Sequence, residues 1–169
     1  MASKKELDMA YMDMALRWAQ LSVAHRKKVG ALIVKEGQLI SDGFNGTPRG
    51  FDNTCEDEKG KTLPEVLHAE SNALMKLSQS TQSCTGSTLY VTLSPCYECA
   101  KLIVQAGVKR VVYLAEYHDT TGLKLLEKCN VEIHDIMERT APTTINYNAN
   151  DDDNDIDSNG GYDDNDNAN

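Results

Sequence analysis

The chain has 169 residues, enough for one domain with a hydrophobic core, and 40% of them are apolar, which is ordinary for a globular protein. No run of 18 apolar residues occurs, and the N-terminus carries no apolar signal-peptide core. Five cysteines, an odd number, fit a reducing compartment better than a disulfide framework. We therefore expect a cytoplasmic protein without a membrane partner.

The net charge of −9 arises at the end of the chain. Eight of the 26 acidic residues are aspartates within residues 141–169, where no Lys or Arg occurs, so residues 1–140 carry 18 acidic and 17 basic residues. This near-neutral balance argues against a long nucleic-acid partner. The composition predicts one domain over residues 1–140 and an acidic, disordered tail over residues 141–169.

The first predicted element is an amphipathic helix over about residues 6–25. Large apolar residues recur there at spacings of four, three, four and three, and we interpret this stripe as core: Leu7, Tyr11, Met14, Trp18 and Leu21. Two short apolar runs, residues 29–34 and 39–44, are separated by Glu36-Gly37 and predict an antiparallel hairpin. The next residues, 45–50, contain Pro48 and two glycines and must form a loop, either an ordinary turn or a ligand-binding one.

A second helix carries His68 and Glu70. Thr62-Leu63-Pro64-Glu65 could cap it, or the helix could start at His68. Residues two apart on an ideal helix point about 200° away from each other. Both side chains can face one site only if His68 lies in an irregular first turn, so we favour the later start.

The remaining elements alternate between strand and helix. Residues 88–93, 109–115 and 131–134 are predicted strands, and a helix around Leu123 and Leu126 precedes the last one. We interpret Ser94 as the N-cap of the helix that follows residues 88–93, with Pro95 as its first residue. Helices between strands imply parallel pairing, so the order α-β-β-α-β-α-β-α-β predicts a mixed α/β sheet with helices on both faces.

Two motifs carry the chemistry. His68-Ala69-Glu70 and Pro95-Cys96-Tyr97-Glu98-Cys99 together form the pattern H-x-E…P-C-x-x-C, which is typical of zinc-dependent nucleobase deaminases. One imidazole and two thiolates give zinc three protein ligands and leave a fourth position for water, whose pKa the metal lowers. Glu70, which is not a ligand, can then carry protons. The positive end of the helix that follows residues 88–93 favours thiolates at both cysteines.

A structural zinc site is the alternative interpretation of these motifs, and C-x-x-C alone could also be a redox pair. A closed site needs a fourth protein ligand, for which the candidates are Cys55, Cys84, Cys129, His118 and His134. Pro95 directly before Cys96, and Glu70 in register with His68, favour the catalytic interpretation.

The element order and motifs resemble the cytidine deaminase superfamily, and within it the deoxycytidylate deaminases, which convert dCMP to dUMP. The resemblance covers residues 1–137 and implies a three-layer α/β/α sandwich with a five-stranded mixed sheet. The matching stretches are Val29-Gly30-Ala31, Gly43-Phe44-Asn45-Gly46-Thr47-Pro48, His68-Ala69-Glu70-Ser71-Asn72-Ala73, Tyr90-Val91-Thr92-Leu93-Ser94-Pro95-Cys96, Glu98-Cys99-Ala100-Lys101, Gln105-Ala106-Gly107-Val108 and Tyr117-His118-Asp119.

The resemblance also implies roles for individual residues. It assigns one zinc ion per chain to His68, Cys96 and Cys99, and the proton transfers to Glu70. The substrate-binding residues that it suggests are Asn45 on the deoxyribose, Tyr117 in the nucleotide pocket, Ala69, Ser94, and Arg26 on the 5′-phosphate, with Lys28 as the next candidate. A basic residue at position 26 could equally be a solvated residue at a helix end.

Members of this family tend to form hexamers that dCTP activates and dTTP inhibits, and a Mg²⁺ ion could accompany a bound triphosphate. We therefore expect a homo-oligomer whose partners are nucleotides and not nucleic acid; the sequence assigns no allosteric residues. Some viral members bind a second, structural zinc ion through extra Cys and His ligands between the Asn loop and the H-x-E motif. Residues 50–67 of this chain contain only one such residue, Cys55, so we expect no second zinc site. The alternatives are a deaminase of another cytosine nucleotide or of nucleic acid, and a non-catalytic scaffold that zinc stabilises.

Overall fold

Residues 1–137 are the part of the chain that the computed structural model describes, and they form four helices and five strands in the predicted order. These elements are α1 (Lys4–Ala19), β1 (Gly30–Lys35), β2 (Gln38–Phe44), α2 (Ala69–Leu77), β3 (Thr88–Leu93), α3 (Tyr97–Gln105), β4 (Arg110–Ala115), α4 (Thr121–Lys128) and β5 (Glu132–Asp135). The predicted domain end at residue 140 and the predicted disordered tail lie outside the described residues. Within residues 1–137, no helix has the length and apolar character needed to cross a membrane.

The five strands make one mixed sheet in the spatial order β2-β1-β3-β4-β5. β1 pairs antiparallel with β2 and β3, whereas β4 pairs parallel with β3 and β5. This confirms the predicted five-stranded mixed sheet and the parallel pairing across α3 and α4. Helix α2 connects β2 to β3 without such a pairing, because β1 lies between these two strands.

The β1–β2 hairpin closes with the two-residue turn that the sequence predicts. Glu36 and Gly37 both have positive φ angles, 52° and 76°. Two consecutive residues in this region form the turn whose twist matches that of paired strands, and glycine takes the second position without a steric penalty.

Strand alternation divides the core into two layers. One face of the sheet packs on α2, α3 and α4 through Ala31, Ile33, Leu89, Val91, Val111 and Tyr113. The opposite face packs on α1 through Leu32, Val34, Tyr90 and Val112. Helices thus cover both faces, and the predicted three-layer α/β/α sandwich is confirmed.

Helix α1 buries a different face from the predicted one and ends at Ala19, not near residue 25. Its buried residues are Asp8, Met12, Ala15 and Ala19. The core interpretation of the large apolar stripe is wrong for three residues, which are 45%, 38% and 56% exposed: Leu7, Met14 and Leu21. The physical reason is close packing, since a Cβ on Gly30 of β1 would lie 2.1 Å from the Ala15 carbonyl oxygen. Small residues must face the sheet where the helix and strand backbones approach so closely. The buried face of α1 therefore cannot be predicted from the spacing of its large apolar residues.

The strand order brings four chain segments to one edge of the sheet. Gly30 lies opposite Phe44, so the start of β1 and the end of β2 share that edge. The end of β3 joins them because β3 is antiparallel to β1, and the end of β4 follows because β4 is parallel to β3. The segments just beyond these strand ends carry most of the predicted site residues: Arg26, Asn45, Cys96 and Tyr117.

Candidate active site

The two predicted metal-binding motifs lie at the first turns of two helices. His68 is the N-cap of α2 with extended backbone, φ −69° and ψ 157°, which confirms the later helix start. Cys96 is the N-cap of α3, so this helix starts two residues later than predicted, and the assignment of Ser94 as its N-cap is wrong. The reason is tertiary, because the Ser94 hydroxyl accepts a hydrogen bond from Tyr117 N at 2.8 Å and is not available to the helix.

Three side chains converge where these helix starts meet. His68 Nδ1 lies 3.4 Å from the Cys96 sulfur and 3.4 Å from the Cys99 sulfur, and the three atoms all lie within 4.8 Å of one another. A tetrahedral zinc, with bonds of about 2.3 Å to sulfur and 2.0 Å to nitrogen, separates a sulfur from a nitrogen by about 3.5 Å, so this donor set fits zinc. Within residues 1–137 the cluster contains only these three ligands. The candidate fourth ligands of a closed structural site therefore lie outside it: Cys55, Cys84, Cys129, His118 and His134.

The electrostatics of the two cysteines also favour a bound cation. Hydrogen bonds from the Cys99 thiol and from His68 lower the pKa of Cys96 to about 4. The pKa of Cys99 is raised, because the neighbouring Cys96 thiolate, burial and the Glu70 carboxylate all oppose a second negative charge. A divalent cation between the sulfurs would remove this opposition and hold both cysteines as thiolates.

Glu70 lies beside this cluster and does not belong to it. It is the second residue of α2 and only 4% exposed. Burial raises the pKa of Glu70 to about 7, although a backbone hydrogen bond and the nearby His68 partly oppose the shift. A carboxyl group with a pKa near neutrality can both accept and release protons. The site therefore combines three residues that fit a metal ion with one that suits proton transfer.

A basic segment, residues 25–29, borders the site, and we call it the basic strap. The Asn45 side chain holds it, since Nδ2 donates to Lys27 O at 2.8 Å and Oδ1 accepts from Val29 N at 2.9 Å. Each end of this amide retains one further hydrogen-bonding position, so Asn45 can hold the strap and also contact a ligand. The predicted phosphate-binding residues, Arg26 and Lys28, lie on the strap.

The Asn45 loop is joined to the metal-binding helix. Gly46 and Leu67 exchange two backbone hydrogen bonds, of 3.1 Å and 2.9 Å, immediately before His68. Ala69, a predicted substrate-binding residue, follows and is fully buried. The strap, the loop and the first turn of α2 therefore form one hydrogen-bonded unit.

Tyr117 lies between the strap and the end of β3. Its backbone N–H binds Ser94, and its ring lies 4.1 Å from the His118 ring, centroid to centroid. Lys27 Nζ lies 5.8 Å from the centroid of the Tyr117 ring, a distance typical of a cation–π contact. Lys27 could not be identified from the sequence, since three consecutive basic residues indicate a cationic segment but not which side chain lies over the aromatic ring.

Glu56 is a second residue near the strap that no sequence motif indicates. Its carboxylate accepts hydrogen bonds from the backbone N–H of His25 at 3.0 Å and of Arg26 at 3.2 Å. The contact joins positions about 30 residues apart in a loop without helical or strand periodicity. No local pattern in the sequence could have indicated it.

Comparisons with known proteins agree with this geometry. The family model for the cytidine and deoxycytidylate deaminase zinc-binding region matches residues 5–115. Deoxycytidylate deaminase from Homo sapiens is 39% identical over 152 residues, which cover 82% of this chain and 84% of the human protein. Deoxycytidylate deaminase from Mycobacterium phage D29 is 36% identical over 128 residues, which cover 68% of this chain and 98% of the phage protein.

A solved structure is similar over nearly its whole length. The crystal structure of dCMP deaminase from the cyanophage S-TIM5, in complex with dCMP and dUMP, matches with 48% sequence identity and a TM-score of 0.77. The match covers 79% of this chain and 99% of the cyanophage chain. Together with the family match and the convergence of His68, Cys96 and Cys99, it places the fold and the zinc-binding motifs in the same group of proteins. This chain belongs to the cytidine and deoxycytidylate deaminase family.

Proposed function

We propose that this protein is a zinc-dependent enzyme that hydrolyses dCMP to dUMP and ammonia and so supplies dUMP for thymidylate synthesis. The observation that carries the proposal is the convergence of His68 Nδ1 with the sulfurs of Cys96 and Cys99, beside a buried Glu70 whose pKa is about 7. The human and phage relatives are deoxycytidylate deaminases, and the cyanophage enzyme was crystallised with dCMP and dUMP. These comparisons support dCMP as the substrate.

In this mechanism Glu70 carries out every proton transfer. When bound by His68, Cys96 and Cys99, zinc acts as a Lewis acid that makes water nucleophilic near neutral pH. The Glu70 carboxylate accepts a proton from the attacking water, whose oxygen forms the new bond to C4 of cytosine. Glu70 delivers this proton to N3, accepts the second proton of the former water from the hydroxyl group on C4, and delivers it to the amino nitrogen. The C4–N bond then breaks, ammonia leaves, and the C4–O bond becomes the carbonyl of dUMP. Water supplies the new oxygen, so dCMP and water become dUMP and ammonia.

The substrate contacts follow from the segments around Glu70. Asn45 would hydrogen-bond the deoxyribose, and Tyr117 would line the nucleotide pocket together with Ala69 and Ser94. Arg26, with Lys28 next, would bind the 5′-phosphate by charge-assisted hydrogen bonds. The support for this orientation is that the basic strap and Tyr117 lie at the same edge of the sheet as the metal ligands, with Lys27 over the Tyr117 ring.

Regulation and assembly form a further part of the proposal. We expect a cytoplasmic homohexamer that dCTP activates and dTTP inhibits, with Mg²⁺ accompanying a bound triphosphate. An effector acts only through different affinities for two states, so dCTP should shift the dependence of the rate on dCMP concentration. If the rate depended hyperbolically on dCMP concentration and neither triphosphate changed it, the proposed regulation would be wrong. The proposed deamination would not be affected by that result.

A substrate screen tests the activity. The zinc-loaded protein should release ammonia from dCMP much faster than from CMP, deoxycytidine or single-stranded DNA, and Cys96→Ala or Cys99→Ala should lose both zinc and activity. Metal analysis should give about one zinc per chain. Preference for single-stranded DNA would favour a nucleic-acid deaminase, and a zinc-loaded protein inert on all four compounds would favour a scaffold.

A further inference from the structure

One oxygen of the Glu56 carboxylate is buried and has no hydrogen-bond partner among the residues that the structure describes. Its Oε1 accepts from the N–H groups of His25 and Arg26, at 3.0 Å and 3.2 Å. Its Oε2 is buried, and no donor from residues 1–137 lies within hydrogen-bonding distance. Buried carboxylate oxygens are normally satisfied, because an unpaired one loses its hydration without compensation. The structure therefore leaves a position for one hydrogen-bond donor at this atom.

Glu56 contacts the basic strap that borders the candidate active site. Its carboxylate and the Asn45 amide hold the basic strap, residues 25–29, at two consecutive points: the N–H groups of His25 and Arg26, and then Lys27 O and Val29 N. The other buried side-chain oxygen without a partner within residues 1–137 is Ser87 Oγ, which precedes β3. It lies at the opposite end of that strand from Cys96, whereas Glu56 contacts the strap that borders the site.

The chemistry of the proposed substrate identifies the missing donor. At neutral pH dCMP has two strong hydrogen-bond donors, the amino group of cytosine and the 3′-hydroxyl of the sugar, since its ionised phosphate oxygens accept. The amino group must lie at Glu70, where it leaves. The phosphate would be repelled by a carboxylate. The 3′-hydroxyl is the donor that remains, and it belongs to the sugar that links the base to the phosphate.

We propose, on the basis of the function proposed above, that Glu56 is a specificity residue whose Oε2 accepts a hydrogen bond from the 3′-hydroxyl of the nucleotide. Its Oε1 meanwhile holds the strap that carries Arg26. One carboxylate thus connects recognition of the sugar to the position of the phosphate-binding segment. Because Oε2 is buried, binding of the hydroxyl requires the carboxylate to rotate, and the broad terminal torsion of a glutamate side chain permits such a rotation.

The test compares dCMP with 2′,3′-dideoxycytidine 5′-monophosphate, which lacks only the 3′-hydroxyl. The wild type should prefer dCMP by about 10- to 100-fold in kcat/KM, as expected for a hydrogen bond to a charged group. Glu56→Gln retains an oxygen for the strap but loses the charge, so its preference should fall to within a few-fold of unity. Calorimetry of dUMP and 2′,3′-dideoxyuridine 5′-monophosphate should give the same change in the ratio of dissociation constants.

Glu58→Gln is the matched control, because Glu58 is an exposed glutamate two residues further along the same loop, and it should keep the wild-type preference. If Glu56→Gln lowered kcat/KM equally for dCMP and for the dideoxy compound, the proposal would be overturned. The role of Glu56 would then be limited to holding the strap. A wild type that deaminates dCMP and the dideoxy compound equally well would also overturn it, whether or not the variant folds. Neither result would affect the proposed deaminase activity, whereas a zinc-loaded wild type inert on dCMP would overturn both proposals.

Discussion

Gly122, the second residue of α4, packs directly against the backbone at Cys96. A Cβ at position 122 would lie 2.1 Å from the Pro95 carbonyl oxygen and 2.8 Å from the Cys96 carbonyl carbon, closer than such atoms can approach. Gly43 of β2 has the same relationship to α2, since a Cβ there would lie 2.2 Å from the Ala69 carbonyl oxygen. Two glycines therefore allow close packing around the first turns that carry the metal ligands.

Gly122→Ala should weaken zinc binding by about 10- to 100-fold, the range found when groups that orient metal ligands are changed. The methyl group must displace the backbone at Cys96 and with it one of the two sulfurs. Competition with a chromophoric chelator measures the affinity, and the absorption spectrum of the cobalt-substituted protein reports the geometry of the site.

Gly30→Ala is the matched control for this variant. Its Cβ would lie 2.1 Å from the Ala15 carbonyl oxygen, but on the opposite face of the sheet, against α1. Both variants should lower the melting temperature, whereas only Gly122→Ala should weaken zinc binding to the folded protein. An equal loss of zinc affinity in both would mean that the effect is general destabilisation.

Glu70→Gln separates proton transfer from metal binding. We expect kcat to fall by about 10²- to 10⁴-fold because the amide cannot accept and release the proton. Zinc content should stay near one per chain, as measured by atomic emission, because Glu70 lies outside the His68–Cys96–Cys99 cluster. His68→Ala is the comparison that should lose zinc. If Glu70→Gln lost zinc as readily, Glu70 would be a ligand and its assigned role would be wrong.

Arg26→Ala tests the phosphate contact. It should lower kcat/KM for dCMP strongly and barely change the slow reaction of deoxycytidine, which has no phosphate to lose. Steady-state kinetics on the two substrates measure the difference, and Arg17→Ala, at an exposed position on α1, serves as the control. Equal losses on both substrates would exclude Arg26 from phosphate binding and leave Lys28 as the next candidate.

The metal ligands and the strands could be predicted from the sequence because their signals are local. His68-Ala69-Glu70 and Cys96-Tyr97-Glu98-Cys99 fix the relative positions of their side chains within a single turn. The strands are short apolar runs separated by turn residues, and β3, Thr88–Leu93, has the bounds that its β-forming residues predict. The order of strands and helices then determines which strand ends meet at the site.

The features that could not be predicted depend on contacts between distant segments. The buried face of α1 is set by the approach of Gly30 to Ala15, which requires small residues and leaves the larger apolar ones exposed. The N-cap of α3 moves because Ser94 binds Tyr117, 23 residues away. Glu56 reaches the strap across 31 residues. No periodic pattern or motif spacing in the sequence indicates any of these contacts.

A buried ion pair joins α1 to the sheet on the face opposite the metal site. Arg110 Nη1 and Nη2 donate to the two carboxylate oxygens of Asp8 at 2.7 Å and 2.8 Å, and the Tyr90 hydroxyl donates to Asp8 Oδ1 at 2.7 Å. Burial by itself raises the pKa of Asp8, but the hydrogen bonds and positive charge of Arg110 outweigh it, so that the net pKa lies below its ordinary value of 3.8. The folded state thus favours the charged carboxylate.

Asp8→Asn should therefore destabilise the protein in a manner that depends on pH. At pH 7 we expect a loss of about 3 kcal/mol in the free energy of unfolding, because the variant leaves Arg110 buried without its main partner. A carboxyl group with a depressed pKa contributes stability above about pH 4 and loses it as the pH falls through the lower pKa of the folded state. The difference between wild type and variant should accordingly narrow below about pH 4 in urea-unfolding curves. Asp13→Asn, at an exposed position on the same helix, should change the stability little at any pH, and a difference for Asp8→Asn that stayed constant down to pH 2.5 would show that the lost contribution is packing and not the ion pair.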